Sequence, residues 1–166
     1  MIAPAAGRLT WGETAIADDL AGHRARLHYV GHQDGIKPGL TPRETLVFWA
    51  ALRGFETRYR ASALDAALAA FALDPVADWP CRWLSAGQRR RLALARLSVV
   101  PAPLWLLDEP FTALDHDNQD RLERAITGHR AAGGRVVLAT HLPIEIGSTV
   151  GIELDAFAPR HSAAAV

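Results

Sequence analysis

Residues 104–139 carry the pattern that most narrows the possible folds. Leu104-Trp105-Leu106-Leu107 is a continuous apolar run that ends in two carboxylates, Asp108 and Glu109. A helical stretch follows from about Asp117 to Ala132, with Leu122, Ala125, Ile126 and His129 on one stripe, and Gly133-Gly134 ends it. Arg135-Val136-Val137-Leu138-Ala139 is a second apolar run, expected to be a second buried strand. Apolar runs without alternation suit parallel strands covered on both faces, and strand, helix, strand at this spacing is a βαβ unit. The C-terminal half is therefore α/β, and the two acids stand at the carboxyl end of a parallel strand, where such sheets bind ligands. In that place Asp108 can hold Mg²⁺, directly or through water, and Glu109 can polarise an attacking water as general base, a role worth roughly 10²- to 10⁴-fold in rate. Taken alone, the pair reads equally well as a solvated strand end.

Upstream, Gly7 to Ile16 predicts a β-hairpin, with Leu9, Trp11 and Ile16 as strand residues and Gly12-Glu13 as the turn. A polar stretch with Asp18, Asp19 and His23 leads to a short strand, Leu27-His28-Tyr29-Val30, and then to a Gly/Pro-rich loop from Gly31 to Leu40. Thr41-Pro42-Arg43-Glu44 has the residues of a capped helix start. The following Leu46-Val47-Phe48-Trp49-Ala50-Ala51-Leu52 is apolar nearly all round, so this helix is expected to be largely buried or to face a partner, and to end at Gly54. A second helix is predicted from about Ser62 to Leu73, with Leu64, Leu68 and Phe71 on one face and Asp74-Pro75 after it.

Leu84-Ser85-Ala86-Gly87-Gln88 opens a third helix that runs through Arg89-Arg90-Arg91 to about Val99, closed by Pro101 and Pro103. Ser85 and Gln88 satisfy a capping-box pattern, worth about 1 kcal/mol as a plain cap. The same serine and glycine at a helix N-terminus also suit a phosphate. Order decides between these readings. Leu84 through Arg96 is followed directly by the Asp108-Glu109 strand, then by Ala113-Leu114-Asp115, a helix, a strand and Ala139-Thr140-His141. This series resembles the ABC-transporter ATPase family across nearly the whole chain.

The resemblance implies a P-loop NTPase-like ABC ATPase domain with a parallel-sheet core, spanning about residues 1–160 and lacking its N-terminal part, with a helical subdomain at about 35–100 and a disordered tail at 161–166. It implies ATP and Mg²⁺ as ligands. Ser85, Gly87 and Gln88 then belong to the signature motif, with Ala86 in place of the commoner glycine. Asp108 becomes the metal-side acid and Glu109 the general base of the Walker B strand, Asp115 the D-loop residue, and His141 the switch histidine that senses a γ-phosphate. A glutamine loop is expected after Leu27–Val30: His32 occupies the aligned position and Gln33 follows, so either faces the nucleotide. A narrower likeness, carried by Tyr29-Val30-Gly31-His32, Leu40-Thr41, Phe48 to Leu52, Ser85 to Arg91 and Leu104 to Leu107, is to the ATP-binding subunits of haem exporters in cytochrome c biogenesis. It implies a peripheral subunit on the cytoplasmic face of a bacterial inner membrane, working with membrane-embedded transporter subunits and paired with a second ABC ATPase subunit.

One part of that family's machinery has no counterpart here. A phosphate loop requires G-x-x-x-x-G-K-[ST], whose N–H groups and lysine cradle the phosphates. The sole lysine, Lys37, stands in Gly35-Ile36-Lys37-Pro38, where proline excludes that motif; the expectation is that the loop belongs upstream of Met1. The alternatives are a non-catalytic interaction subunit that lends Ser85 and Gly87 in trans, and the ATPase of another ABC transporter. Composition agrees with each of these: 18 basic and 18 acidic residues leave no field for nucleic acid. The single cysteine fits a reducing cytoplasm. No apolar run approaches the ~20 residues of a spanning helix, so a membrane role is expected only through partners.

Overall fold

A computed structural model describes residues 4–54, 60–144 and 146–157; the tail at 161–166 expected to be disordered lies outside the described residues. The expected hairpin is short. β1 (Thr10–Trp11) pairs antiparallel with β2 (Thr14–Ala15), and Ile16 N–H donates to the Leu9 carbonyl at 2.9 Å. Gly12 at the turn takes φ +59°, which a two-residue hairpin turn needs and glycine adopts freely. The polar stretch that follows is helical, which the pattern did not predict: a 3₁₀ turn at Ile16–Asp19 and α1 (Leu20–Ala25). Six residues are too few for a hydrophobic period to show. What sets α1 is Asp19, which accepts from Gly22 N–H at 2.8 Å and pairs with Arg26 at 2.9 Å.

β3 (Leu27–Val30), β4 (Leu104–Asp108) and β5 (Arg135–Ala139) form a parallel sheet in that order. Leu27 stands opposite Leu104, and Leu104 opposite Arg135. The middle strand is buried at Leu104, Trp105 and Leu107, as its unbroken apolar run predicts. β5 corrects the expectation of a second strand covered on both faces. Its burial alternates, Val136 and Leu138 packing on the core while Val137 is 60% exposed. An edge strand covered on one face has a burial period of two whatever its composition.

The free edge of β3 is closed by side chains. Arg53 donates to the carbonyls of Ala25 (2.8 Å) and Leu27, and Arg96 donates to that of Tyr29. Such carbonyls otherwise invite pairing with another strand.

Between β3 and β4 lie α2 (Pro42–Leu52), α3 (Arg60–Ala70) and α4 (Ala86–Val99). α2 starts as its sequence predicts: Thr41 Oγ1 accepts from Glu44 N–H at 3.1 Å, and Glu44 Oε2 accepts from Thr41 N–H at 2.9 Å. It buries Thr45, Leu46 and Ala50, and leaves Val47, Phe48 and Leu52 exposed. α3 stops three residues before the predicted Leu73, because Ala72 enters the left-handed region at φ +50°. Ala72 N–H reaches the Ala69 carbonyl (3.0 Å) and Leu73 N–H that of Leu68 (2.9 Å), a Schellman closure. Arg91 of α4 donates to the Phe71 and Ala72 carbonyls at 2.8 and 2.7 Å. Leu46, Leu64, Leu68, Leu92 and Leu94 from these helices, with Phe71 just past α3, share one core with Val30, Trp105 and Leu107 of the sheet.

α5 (His116–Ala131) carries the β4 to β5 connection and buries Leu122 and Ile126. It ends where the glycine pair predicts, with Gly133 at φ +86° and Gly134 N–H on the His129 carbonyl at 2.9 Å. Among the described residues no helix is long and apolar enough to cross a membrane.

Candidate functional site

β4 ends at Asp108, opposite Ala139 of β5. The chain then turns at Glu109, whose N–H donates to the Ala139 carbonyl at 2.8 Å and whose φ is +46°. Left-handed backbone is disfavoured for a residue with a Cβ, and where it persists the surroundings hold it. Two residues past Ala139, His141 Nδ1 stands 3.0 Å from Glu109 Oε2. Register in a parallel sheet accounts for the meeting: both residues leave adjacent strands at the same end.

The contact is close but not well aligned, since Oε2 is buried and has no hydrogen-bond partner of good geometry. It still holds the Glu109 carboxyl below the ordinary carboxylate range, His141 being the main cause and Thr140 a lesser one. Glu109 is ionised at neutral pH, as an unshifted carboxylate would also be; the lowering makes it a weaker base, so the base role rests on its position and not on this shift. His141 itself is largely exposed.

The protein ligands beside this pair are too few to hold a metal ion by themselves. Among the described residues no group of three or more His, Cys, Asp or Glu side chains comes together to hold a metal. Mg²⁺, however, is typically held by one or two carboxylates, with phosphate oxygens and water completing its shell. Half-buried Asp108 at the strand end and the orphaned Oε2 of Glu109 suit that smaller demand.

The first turn of α4 lies on the same side of the fold. Ser85 Oγ accepts from Gln88 N–H at 3.1 Å, and Gln88 Oε1 accepts from Ser85 N–H at 2.8 Å, which closes the capping box. Gly87 faces the turn after β4, and a Cβ there would lie 3.0 Å from the Ala113 carbonyl oxygen. Ala113 is itself left-handed, at φ +63°. Asp115 is engaged as the N-cap of α5, accepting from Asn118 N–H at 3.0 Å and Asn118 Nδ2 at 2.6 Å, a local role its sequence position did not announce.

His32 and Gln33 are both exposed, so burial does not choose between them. Their neighbour Asp34 is the residue tied to the site, through Arg90. Arg90 was unremarked within the run Arg89-Arg90-Arg91, yet it is 4% exposed. Its Nη1 donates to the Gly31 carbonyl (2.8 Å) and Asp34 Oδ1 (3.2 Å), and its Nη2 to the carbonyls of Asp108 (2.9 Å) and Glu109 (2.7 Å). A signal existed, since Arg90 lies on the stripe of Leu94 and Leu97 at i+4 and i+7.

A cleft of about 170 Å³ opens elsewhere, lined by His28, Tyr29, Trp49, Arg53 and Arg96. It shares no residue with this group. Its two arginines are the ones that cover the β3 edge, so the cleft follows from edge closure.

Comparison with known proteins agrees with the order of these elements. Residues 1–112 match the ABC transporter family. The cytochrome c biogenesis ATP-binding export protein CcmA of Rhodospirillum rubrum is 54% identical over 165 residues, 99% of this chain and 69% of that protein. The protein of the same name from Paramagnetospirillum magneticum is 48% identical, over 95% of this chain and 73% of its own length. Among solved structures, the ATP-binding subunit of an ABC transporter superposes with a TM-score of 0.72 at 23% identity, over 84% of this chain. A post-hydrolysis dimer of the ATP-binding cassette MJ0796 bound to ADP and Pi gives 0.67 at 25%, over 75% of this chain. The chain spans 58% and 56% of those two structures.

Proposed function

This chain belongs to the ABC transporter family, in the CcmA group of cytochrome c biogenesis ATP-binding export proteins, and we propose that it acts there as an ATP-binding subunit. The observation that carries the reading is the meeting of Glu109 and His141 at 3.0 Å, at the ends of adjacent parallel strands and next to Asp108. Glu109 is the general base that orients and polarises water from the end of β4. His141 stands where it senses the phosphate that the water attacks. Asp108 holds the metal side, and Mg²⁺, when bound, neutralises charge on the phosphates. Ser85, Gly87 and Gln88 present a helix N-terminus to the phosphate of an ATP carried by a second subunit. Asp115, two residues past the Ala113 that Gly87 approaches, is the D-loop residue, and His32 or Gln33 faces the nucleotide from the loop after β3.

Within this reading residues 35–100 form the helical subdomain, and the exposed Val47, Phe48 and Leu52 of α2 are consistent with a chain that works against other subunits. The partners are membrane-embedded transporter subunits, the place is the cytoplasmic face of a bacterial inner membrane, and the cargo is haem for cytochrome c assembly.

Hydrolysis needs one further component. The 166 residues contain no G-x-x-x-x-G-K-[ST] stretch, so the phosphate cradle must come from outside them. The purified 166-residue chain is therefore expected to turn over no more ATP than its Glu109→Gln variant. The decisive experiment mixes the chain with an ABC ATPase subunit that has an intact phosphate loop, and measures association with and without ATP. ATP should strengthen binding, and Ser85→Arg should remove that gain. Association indifferent to ATP, or to Ser85→Arg, would sink the reading.

A further inference from the structure

We propose that Arg90 is a positioning residue for Glu109: it fixes the backbone that presents the carboxylate and ties that backbone to the loop carrying His32 and Gln33. The inference rests on reading Glu109 as the water-polarising base. Arg90 is the one charged residue other than histidine among the fully buried side chains of the described residues. A buried charge is costly unless closely paired, and its single carboxylate partner is Asp34 at 3.2 Å, itself a quarter exposed. The other three acceptors are backbone carbonyls. A cation kept in the interior mainly for carbonyls is there to hold backbone.

What it holds is specific. Nη1 takes the end of β3, at Gly31 and Asp34, while Nη2 takes the end of β4, at Asp108 and Glu109. The planar guanidinium fork sets the spacing of the two strand ends, which the compact ammonium of lysine does not do. The shortest of the four bonds, 2.7 Å, falls on the carbonyl of the residue whose φ is +46°. The opposite side of that residue is fixed by its own N–H on Ala139. Held at both ends, Glu109 keeps a left-handed conformation that its side chain disfavours, and that conformation brings its carboxylate to His141.

The test is NMR on the intact chain, through amide exchange at Glu109, backbone relaxation at His32 to Asp34, the Glu109 Cα shift as a report of φ, and the His141 ring resonances. Arg90→Lys keeps the charge but not the fork. Exchange at Glu109 should rise about tenfold or more, the scale of losing one charge-assisted hydrogen bond, and the order parameters of the 32–34 loop should fall. The His141 ring signals should move toward those of Glu109→Gln. A merely structural role predicts faster exchange throughout the core, with Glu109 Cα and the His141 ring unmoved in folded molecules; that result overturns the proposal. Asp34→Asn covers the case in which Arg90→Lys does not fold, because three carbonyl bonds survive it. It should loosen the 32–34 loop and shift Glu109 in the same direction by less, and an unmoved Glu109 would refute the tie. If both variants respond as stated, yet Glu109→Gln leaves ATP turnover of the assembled subunit pair unchanged, Arg90 still positions Glu109, and the assignment of Glu109 as base is what fails.

Discussion

Gly134→Ala is expected to destabilise the fold well beyond what one methyl group usually does. The backbone permits alanine there, since Gly134 lies outside the left-handed region. The obstacle is His129. A Cβ on residue 134 would stand 2.2 Å from two atoms of its ring and 2.5 Å from a third, against a resting separation of about 3.5 Å or more. The ring is stacked on Trp105, centroids 3.9 Å apart and planes within 4°, and Trp105 is buried in β4. Forcing the ring aside costs ~1–3 kcal/mol as overpacking, and loss of the stack adds ~0.5–1.5 kcal/mol. The sum, about 1.5–4.5 kcal/mol, corresponds to about 3–18 °C in Tm for a chain of this size. Thermal and urea melts would measure it, with His129→Ala as the second arm of a double-mutant cycle. Without the ring the clash disappears, so Gly134→Ala should cost little in the His129→Ala background. A single-variant loss below about 0.5 kcal/mol, within the range of an ordinary surface change, would show that the ring moves freely and would refute the argument.

Ala72→Gly is expected to stabilise the fold by about 1 kcal/mol, because φ +50° at the Schellman position costs alanine more than glycine; a shift of Tm downward would contradict it. His28 titrates at about 4, lowered chiefly by burial, with Arg53 and Arg96 adding repulsion. The unfolded chain binds this proton first, so stability should be level above about pH 6.5 and fall toward pH 4, by about 2 kcal/mol between pH 7 and pH 5. Urea midpoints at the two pH values check the fall, and His28→Gln should flatten it. Ser85→Asp should keep the melting temperature, because aspartate caps helices as well as serine does, and should abolish ATP-strengthened association with a second subunit. Retained association would remove Ser85 from the nucleotide site.

What was legible in the sequence was local. The caps at Thr41 and Ser85 and the glycine stop after α5 are made by residues three to five apart, so the chain nearby contains all the needed information. The β4 strand was legible because its apolar run is unbroken, whereas the role of His141 came only from the family resemblance; its contact with Glu109 comes from their equivalent places after two adjacent strands. Burial of β5 was not legible. An apolar composition states that a strand can be covered, whereas which face is covered depends on neighbours that are distant in sequence. The end of α3 was missed for a related reason: alanine at a left-handed position carries no local sign, and Arg91, 19 residues away, helps to hold that turn. Arg90 stood between two other arginines, which made a buried hub look like part of a solvated run. Its place on the Leu94 and Leu97 stripe was the only contrary sign.

Ser85 shows why a cap and a phosphate contact should not be treated as rivals. A helix N-terminus has free N–H groups, and either a side-chain oxygen or an anion satisfies them. In this fold the cap uses Ser85 Oγ only as an acceptor, from Gln88 N–H at 3.1 Å. The hydroxyl proton is engaged by no acceptor among the described residues, and Ser85 is exposed, so the same oxygen that caps α4 can donate to a phosphate. Local geometry therefore cannot separate the two roles, and neither can alanine, which removes both. Aspartate separates them because it keeps the acceptor, loses the proton and places a negative charge where the phosphate would approach. Stability then reports the cap alone, and association reports the nucleotide.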